Sequence, residues 1–363
     1  MIPVYKPYLS SRTINLAKDA LDEGWISSNG RFKQMASDLL CEKTGSNYAY
    51  LTCNGTAACH AMFRSIREFY PSHIRMAVPN NCYVAAWNSL LFDGDYIDIT
   101  PVDADPDTWN MNVEDIPDSC DTLMVVHNLG NVVNVPKIKE KRPEMLVIED
   151  ACEALFGDYG GKPVGSDSFC SAFSFFGNKN ISSGEGGALV TDDEDVISYV
   201  KHICEQGQTD KRFIHDTLAY NYRMSNIHSA ILYGQLMDFE DIADMKKEVF
   251  HNYNEMLSGL PLEVQVEEED TNHSLWMYGV KMPSIDAKES VVSSLKNAGI
   301  ETRPMFYPMS SHEHLSGIAN PDDEEIAVDL SERCIMLPSY PDLDKSNIKQ
   351  ITDVIKESMN EHI

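Results

Sequence analysis

Three short segments of the chain put reactive side chains next to backbone that can hold an anion. Lys179 lies in FSFFGNKNISSGEGG, after the apolar stretch AFSF and before a glycine-rich run. A lysine amine attacks a carbonyl only when deprotonated, so a nucleophilic lysine needs surroundings that depress its pKa. A single lysine is ordinarily a solvated surface group, so Lys179 gains meaning only with partners. Glu149-Asp150 ends the apolar run MLVI. A carboxylate there can ligate a metal, act as acid or base, pair with a cationic ring nitrogen, or merely finish a strand. Cys53-Asn54-Gly55-Thr56 closes one apolar run and opens a helical pattern. N–H groups at a helix start, with a threonine hydroxyl, suit a phosphate, although Asn54 or Thr56 can equally be an ordinary N-cap. Ser174, five residues before Lys179, can serve a phosphate or a sheet neighbour.

The elements that must position these groups follow from hydrophobic periodicity. Short apolar runs at Ala49–Cys53, Ile74–Val78, Tyr96–Ile99, Leu123–His127, Met145–Ile148, Ala172–Phe175 and Ala188–Thr191 predict strands. Ala58, Met62, Ile66 and Phe69 recur at helical spacing between the first two. Strands alternating with helices predict an α/β fold with a mostly parallel sheet flanked by helices. In such sheets ligands bind beyond the carboxyl ends of the strands, where CNGT, HNLG and Glu149-Asp150 all fall. From about residue 240 the pattern changes. Ile242, Met245, Val249, Tyr253 and Met256 mark a long amphipathic helix, followed by strands near 275–282 and helices near 287–298 and 345–359. These features predict a large domain over 1–240 and a smaller C-terminal α+β domain over 241–363.

Bulk properties exclude several classes. The 363 residues carry a formal net charge of −28, which opposes nucleic acid or anionic membrane as a partner. A polyanionic ligand would then need local cations and helix N-termini. The acidic clusters at Glu267–Asp270 and Asp322–Glu325 read as solvated loops. The nine cysteines include no CxxC pair, so no zinc ribbon or compact iron–sulfur motif is expected; they read as free thiols in a reducing compartment. No run reaches the length of a membrane span, and the first residues lack a secretory apolar core. A cytoplasmic protein is the expectation.

Taken together, the segments resemble pyridoxal-phosphate enzymes of the aspartate-aminotransferase fold (fold type I). More narrowly they resemble the nucleotide-sugar aminotransferases of the DegT/DnrJ/EryC1/StrS family. The resemblance runs in order through IPVYKPYLS, WISSNG, CNGTAA, VIEDACEA, FSFFGNKNISSGEGGALVT, YNYRMSNIHSAI, ETRPMFYP and LPSYPDL. It implies that Lys179 carries pyridoxal 5'-phosphate as a Schiff base and later moves a proton. It implies that Asp150 pairs with the pyridine nitrogen, keeping the ring an electron sink. Glu153 would lie near the phenolic oxygen, Tyr83 would stack on the ring, and Gly55, Thr56 and Ser174 would hold the phosphate. Asn221 would reach that phosphate from a neighbouring subunit, so a homodimer with shared sites is implied. Trp25, Ser27, Ser28, Arg223 and Arg303 would face the substrate; an arginine suits a diphosphate. Arg223 can equally support the subunit interface, Arg303 a surface salt bridge, and Trp25 can be a packing residue.

Within the family, WISS, SFFGNK, YNYRM and ETRPMFYP look most like the GDP-perosamine synthase branch. That branch implies transfer from L-glutamate to C4 of GDP-4-keto-6-deoxy-D-mannose by ping-pong chemistry. There are departures. Leu129 stands where relatives often have an aromatic residue, and Met309-Ser310 follow Pro308 where relatives often have a histidine, with His312 nearby but out of register. A UDP- or dTDP-linked keto sugar therefore stays open as substrate. A non-catalytic cofactor-binding regulator and a sugar 3-dehydratase are further alternatives. The dehydratases carry histidine at the position of Lys179.

Overall fold

Successive residues of the apolar runs face opposite sides of one sheet. In LMVV, Leu123 and Val125 join one apolar cluster while Met124 and Val126 join another. The same split separates Val147 from Ile148, Phe173 from Ala172, and Ala188 and Val190 from Leu189. A strand with both faces buried must be apolar throughout, which is why these segments show continuous runs rather than alternation.

The computed structural model describes residues 1–70, 72, 74–94 and 97–360; Tyr96, the expected start of the third strand, lies outside the described residues. Helices α1 (Ser11–Asp22) and α2 (Arg31–Thr44) precede β1 (Tyr48–Thr52). Then come α3 (Gly55–Phe69), β2 (Ile74–Pro79), α4 (Ala85–Leu91), β3 (Ile97–Val102), β4 (Thr122–Val126), α5 (Val135–Lys141) and β5 (Leu146–Asp150). The short strands β6 (Asp158–Tyr159) and β7 (Lys162–Pro163) lead to β8 (Ser171–Ser174), β9 (Gly187–Thr191), α6 (Glu194–Cys204) and α7 (Asn226–Met237). The C-terminal part holds α8 (Phe239–Leu257), β10 (Thr271–Asn272), β11 (Tyr278–Lys281), α9 (Ile285–Asn297), β12 (Arg303–Pro304), α10 (Glu325–Arg333), β13 (Cys334–Leu337) and α11 (Lys345–Asn360).

The main sheet has the order β1-β9-β8-β5-β4-β2-β3. From β8 to β3 every pairing is parallel, and β9 runs antiparallel to both neighbours. Helix α3 covers one face through Ala58, Met62 and Ile66, together with Trp87 of α4 and Val200 of α6. Phe69, expected on the same apolar face, is 37% exposed at the helix end. The other face is covered by Leu40 of α2, Leu232 and Leu236 of α7, and Ile242 of α8. A second, antiparallel sheet, β11-β13-β12, forms its own core with Tyr253, Val291, Ile348, Ile351 and Ile355. The chain start joins it: Ile2 bridges Ile300 and its N–H donates to Gly299 O at 2.8 Å. No helix among the described residues is long and apolar enough to cross a membrane.

Two acidic side chains expected in solvated loops are instead bonded inward. Glu324 is buried and accepts from Asn80 Nδ2 (3.2 Å) and from Ser310 Oγ. Glu268 accepts from Asn134 N at 3.2 Å.

One buried charge network locks the strand ends. Glu149 accepts from Tyr159 OH (2.6 Å) and Ser171 Oγ (3.2 Å), and its Oε2 lies 3.0 Å from His127 Nε2. Val133 N donates to His127 Nδ1 at 3.1 Å, so Nε2 carries the ring proton towards the carboxylate. Burial alone would raise Glu149; the bonds from His127 and Tyr159 hold it below its ordinary range. Removing one partner of such a network leaves the others desolvated and unpaired. Glu149→Ala should therefore lower stability by about 3–5 kcal/mol, read from the urea midpoint. A loss under about 1 kcal/mol would contradict this reading of the network.

Candidate active site

Alternation along β5 sends its last two carboxylates to opposite sides. Glu149 shares the face of Val147, and Asp150 that of Ile148, under the start of α3. Asp150 Oδ1 accepts from Cys152 N at 3.1 Å, and Asp150 opens onto a cavity of about 590 Å³. That cavity lies at the carboxyl ends of β4, β5 and β8. It brings together Gly55, Thr56, Tyr83, Asp150, Glu153, Ser174, Lys179 and Arg303.

The start of α3 forms one wall. Asn54 is the N-cap, its Oδ1 accepting from Ala57 N at 2.8 Å. This leaves the other first-turn N–H groups and the positive helix end to the cavity. Gly55 is needed for closeness: a Cβ there would lie 2.8 Å from Ser174 Cβ and 3.2 Å from Cys152 Sγ. Gly187 is equally constrained, since a Cβ would run into the carbonyl of Asn54. Bare backbone at these two positions lets Ser174 sit beside the helix start.

Lys179 enters from the loop after β8. Its side chain is 13% exposed, and its Nζ lies 3.5 Å from Glu153 Oε1 and 3.9 Å from the centroid of the Trp276 ring. The loop is held from both sides. Lys179 N donates to Phe176 O (2.9 Å), Tyr5 OH to Lys179 O (3.1 Å), Trp276 Nε1 to Asn178 O (2.7 Å) and Asn180 Nδ2 to Ser274 O (2.6 Å). Glu153 Oε2 accepts from Leu129 N at 2.9 Å. Burial pushes the Glu153 carboxyl up to about 7, against the opposing pull of Lys179.

Arg303 reaches the cavity from β12, half-buried, and no carboxylate pairs with it among the described residues. Tyr83 is 60% exposed at the mouth, its ring 6.2 Å from that of Phe306. The remaining expected residues lie elsewhere. Asn221 is exposed and accepts from Arg223 Nε at 3.0 Å. Trp25 and Ser27 are exposed and Ser28 half-buried, on a segment fixed by Asn226, whose Nδ2 donates to Trp25 O (2.6 Å) and whose N donates to Ser27 O (2.6 Å). None of these five lines the cavity of its own chain.

The donor set fits a pyridine phosphate. A helix start with a serine hydroxyl suits the phosphate, a buried carboxylate suits a ring N–H, and an amine is aimed inward. Asn178 Oδ1, on the cavity wall, is buried without a hydrogen-bond partner and can accept from a bound group.

The chain matches the DegT/DnrJ/EryC1/StrS aminotransferase family over residues 7–356. It belongs to that family. A GDP-perosamine synthase of Escherichia coli O157:H7 is 34% identical over 365 residues, covering 98% of each chain. One of Vibrio cholerae is 32% identical over 371 residues, covering 99% of this chain and all of the relative. Among solved structures, Helicobacter pylori PseC, an aminotransferase of pseudoaminic acid biosynthesis, superposes with a TM-score of 0.90 at 22% identity, covering 99% of both chains. The PMP form of the sugar aminotransferase Spr1654 of Streptococcus pneumoniae superposes with a TM-score of 0.90 at 20% identity over both full lengths. The family member described here is a pyridoxal-phosphate-dependent nucleotide-sugar aminotransferase with a fold-type-I architecture.

Several lining residues were not singled out in the sequence, among them Trp276, Asn178, Phe306, Cys59 and Cys82. Trp276 precedes a strand and reads as core. His312, out of register by sequence, lines the cavity and stacks edge-on to Trp87 at 5.6 Å. Leu129, by contrast, is buried beside Trp109 and Trp276, off the cavity wall.

The raised Glu153 carboxyl has a signed consequence. The folded chain binds that proton more tightly than the unfolded chain, so stability present below the ordinary 4.5 is lost as pH rises towards about 7. In the cofactor-free protein, Glu153→Gln should flatten the melting temperature against pH over that window and raise stability above it. An unchanged slope would show that the Glu153 proton is not held by the fold.

Proposed function

We propose that the chain transfers the amino group of L-glutamate to C4 of a nucleotide-linked 4-keto-6-deoxy sugar, GDP-4-keto-6-deoxy-D-mannose, giving GDP-perosamine. The observation that carries the reaction type is Lys179 Nζ inside the cavity, 3.5 Å from Glu153 and on the same wall system as Asp150 and the α3 start. The sugar assignment rests on full-length similarity, at 34% and 32% identity, to two proteins named GDP-perosamine synthase. When bound, pyridoxal phosphate supplies an electron sink for the carbon that bears the amino group.

The chain's own residues then have distinct tasks. The first N–H groups of α3 and the Ser174 hydroxyl hold the phosphate. The Asp150 carboxylate keeps a proton on the ring nitrogen, at a strand end fixed by the Glu149 network behind it. The Lys179 amine takes and returns the proton at the reacting carbon. Glu153 lies 3.5 Å from that amine and orients it. Arg303, a cation without a carboxylate partner among the described residues, receives the anionic part of glutamate or of the nucleotide sugar. Residues 1–240 and 241–363 act as two domains that meet at this cavity.

We also propose a homodimer with shared sites. Asn221 and Arg223 lie outside their own cavity, next to a loop whose Phe213, Ile214 and Leu218 are exposed. Exposed Trp25 and Ile26 add to the apolar surface. On this reading Asn221 completes the phosphate site of the partner.

Two experiments test these assignments. Purified enzyme offered GDP-, UDP- and dTDP-linked keto sugars with glutamate should aminate the GDP sugar, with product position read by NMR. Amination of only a UDP or dTDP sugar would overturn the perosamine assignment. For the dimer, Lys179→Ala and Asn221→Ala should each be inactive alone. Refolded together at equal amounts, they should regain about a quarter of wild-type turnover, because half the assemblies then carry one intact site. No recovery would place Asn221 in its own chain's site, and activity of Asn221→Ala alone would place it outside the chemistry.

A further inference from the structure

Directly below the cavity, three side chains from separate turns converge without a role in the scheme above beyond that of Asp150. Cys59 comes from the second turn of α3, Asp150 from the end of β5, and Cys152 from the turn that follows. One ligand atom from each lies within 4.8 Å of the other two. All three border the cavity. We propose that Cys59, Asp150 and Cys152 form a site for a thiophilic divalent cation of the zinc or cadmium class in the cofactor-free protein, and that this cation and the cofactor exclude one another. The exclusion rests on the reading that Asp150 faces the cofactor ring.

The chemistry suits such an ion. Two sulfurs and one carboxylate oxygen make a soft, three-donor set, and the open cavity leaves the fourth tetrahedral position for water. Zinc–sulfur bonds of about 2.3 Å and zinc–oxygen bonds of about 2.0–2.2 Å require ligand atoms about 3.5–3.8 Å apart, so side-chain rotations closing about 1 Å suffice. The two sulfurs lie within 4.8 Å of each other. Without a metal, thiols at neutral pH hold their protons. Binding replaces them: one divalent cation and two thiols give a bis-thiolate complex and two protons released to solvent, with the Asp150 carboxylate as third donor. The resulting complex has one net negative charge. Lys179 lines the same cavity and can offset it. Asp150 cannot ligate the ion and hold a ring N–H together, so each ligand displaces the other.

The test uses the full chain stripped of cofactor and titrated with cadmium. A thiolate-to-cadmium ultraviolet band should saturate at one ion per chain. It should vanish in Cys59→Ser and in Cys152→Ser, and persist in Cys41→Ser, whose sulfur lies on α2 away from the cavity. Circular dichroism checks that each variant is folded; if one serine variant does not fold, the other decides. At cadmium tenfold above its own dissociation constant, the apparent Kd for pyridoxal phosphate should rise about tenfold. A band retained in the folded serine variants, or an unchanged cofactor affinity in the cadmium-loaded protein, would overturn the proposal. If metal-free protein binds no pyridoxal phosphate, the functional reading fails instead, while the thiol dependence of the band still decides the metal site.

Discussion

A buried amine needs a reason to stay where it is, and in this molecule most of the site follows from that need. Lys179 is held between the Glu153 carboxylate and the face of Trp276, with its own loop tied down by Tyr5, Trp276 and Ser274. Glu153 is in turn oriented by the N–H of Leu129, a residue at φ 58°. The contacts reach the lysine from the chain start, from the loop after β4 and from the segment before β11. The parallel sheet alone does not build the site; the C-terminal part has to be seated on it.

A second buried lysine explains how that seating is achieved. Lys246 of α8 is fully buried and donates to the carbonyls of Trp276 (2.9 Å) and Ser339, with its Nζ over the rings of Tyr5 and Phe250. Burial pulls its pKa well down. Tyr5 and Trp276 are also the residues that hold the Lys179 loop. Lys246 thus holds the same two residues from behind, Trp276 by its backbone carbonyl and Tyr5 by its ring, and the active lysine is positioned partly by another lysine some distance along the chain. Displacing either carbonyl would leave this amine only partly compensated in a low-dielectric interior.

Much of this was legible in the sequence because it is local. Continuous apolar runs announced the parallel strands, and polar residues directly after them announced the ligand-binding end. Asn54, Asp150, Ser174 and Lys179 could be read because each sits at the junction of a strand and a turn. Long-range contacts were not legible. Nothing around Trp276 distinguishes an aromatic under an amine from an ordinary core residue, and Lys246 interrupts an apolar helix face as any surface lysine would. His312 is out of register by sequence, yet the short helical turns between Pro308 and Leu315 carry it to the cavity wall. Glu324 looked solvated in an acidic run, yet Asn80 and Ser310 from distant segments draw it inward.

The central claim is that Lys179, and no other buried amine, takes the cofactor. Borohydride reduction of the loaded enzyme, followed by proteolysis and mass mapping, reads this directly. The account predicts one cofactor-derived mass per chain, on the peptide carrying Lys179, and none on the peptide carrying Lys246. The modification on Lys246, on a surface lysine, or on no lysine at all would contradict it.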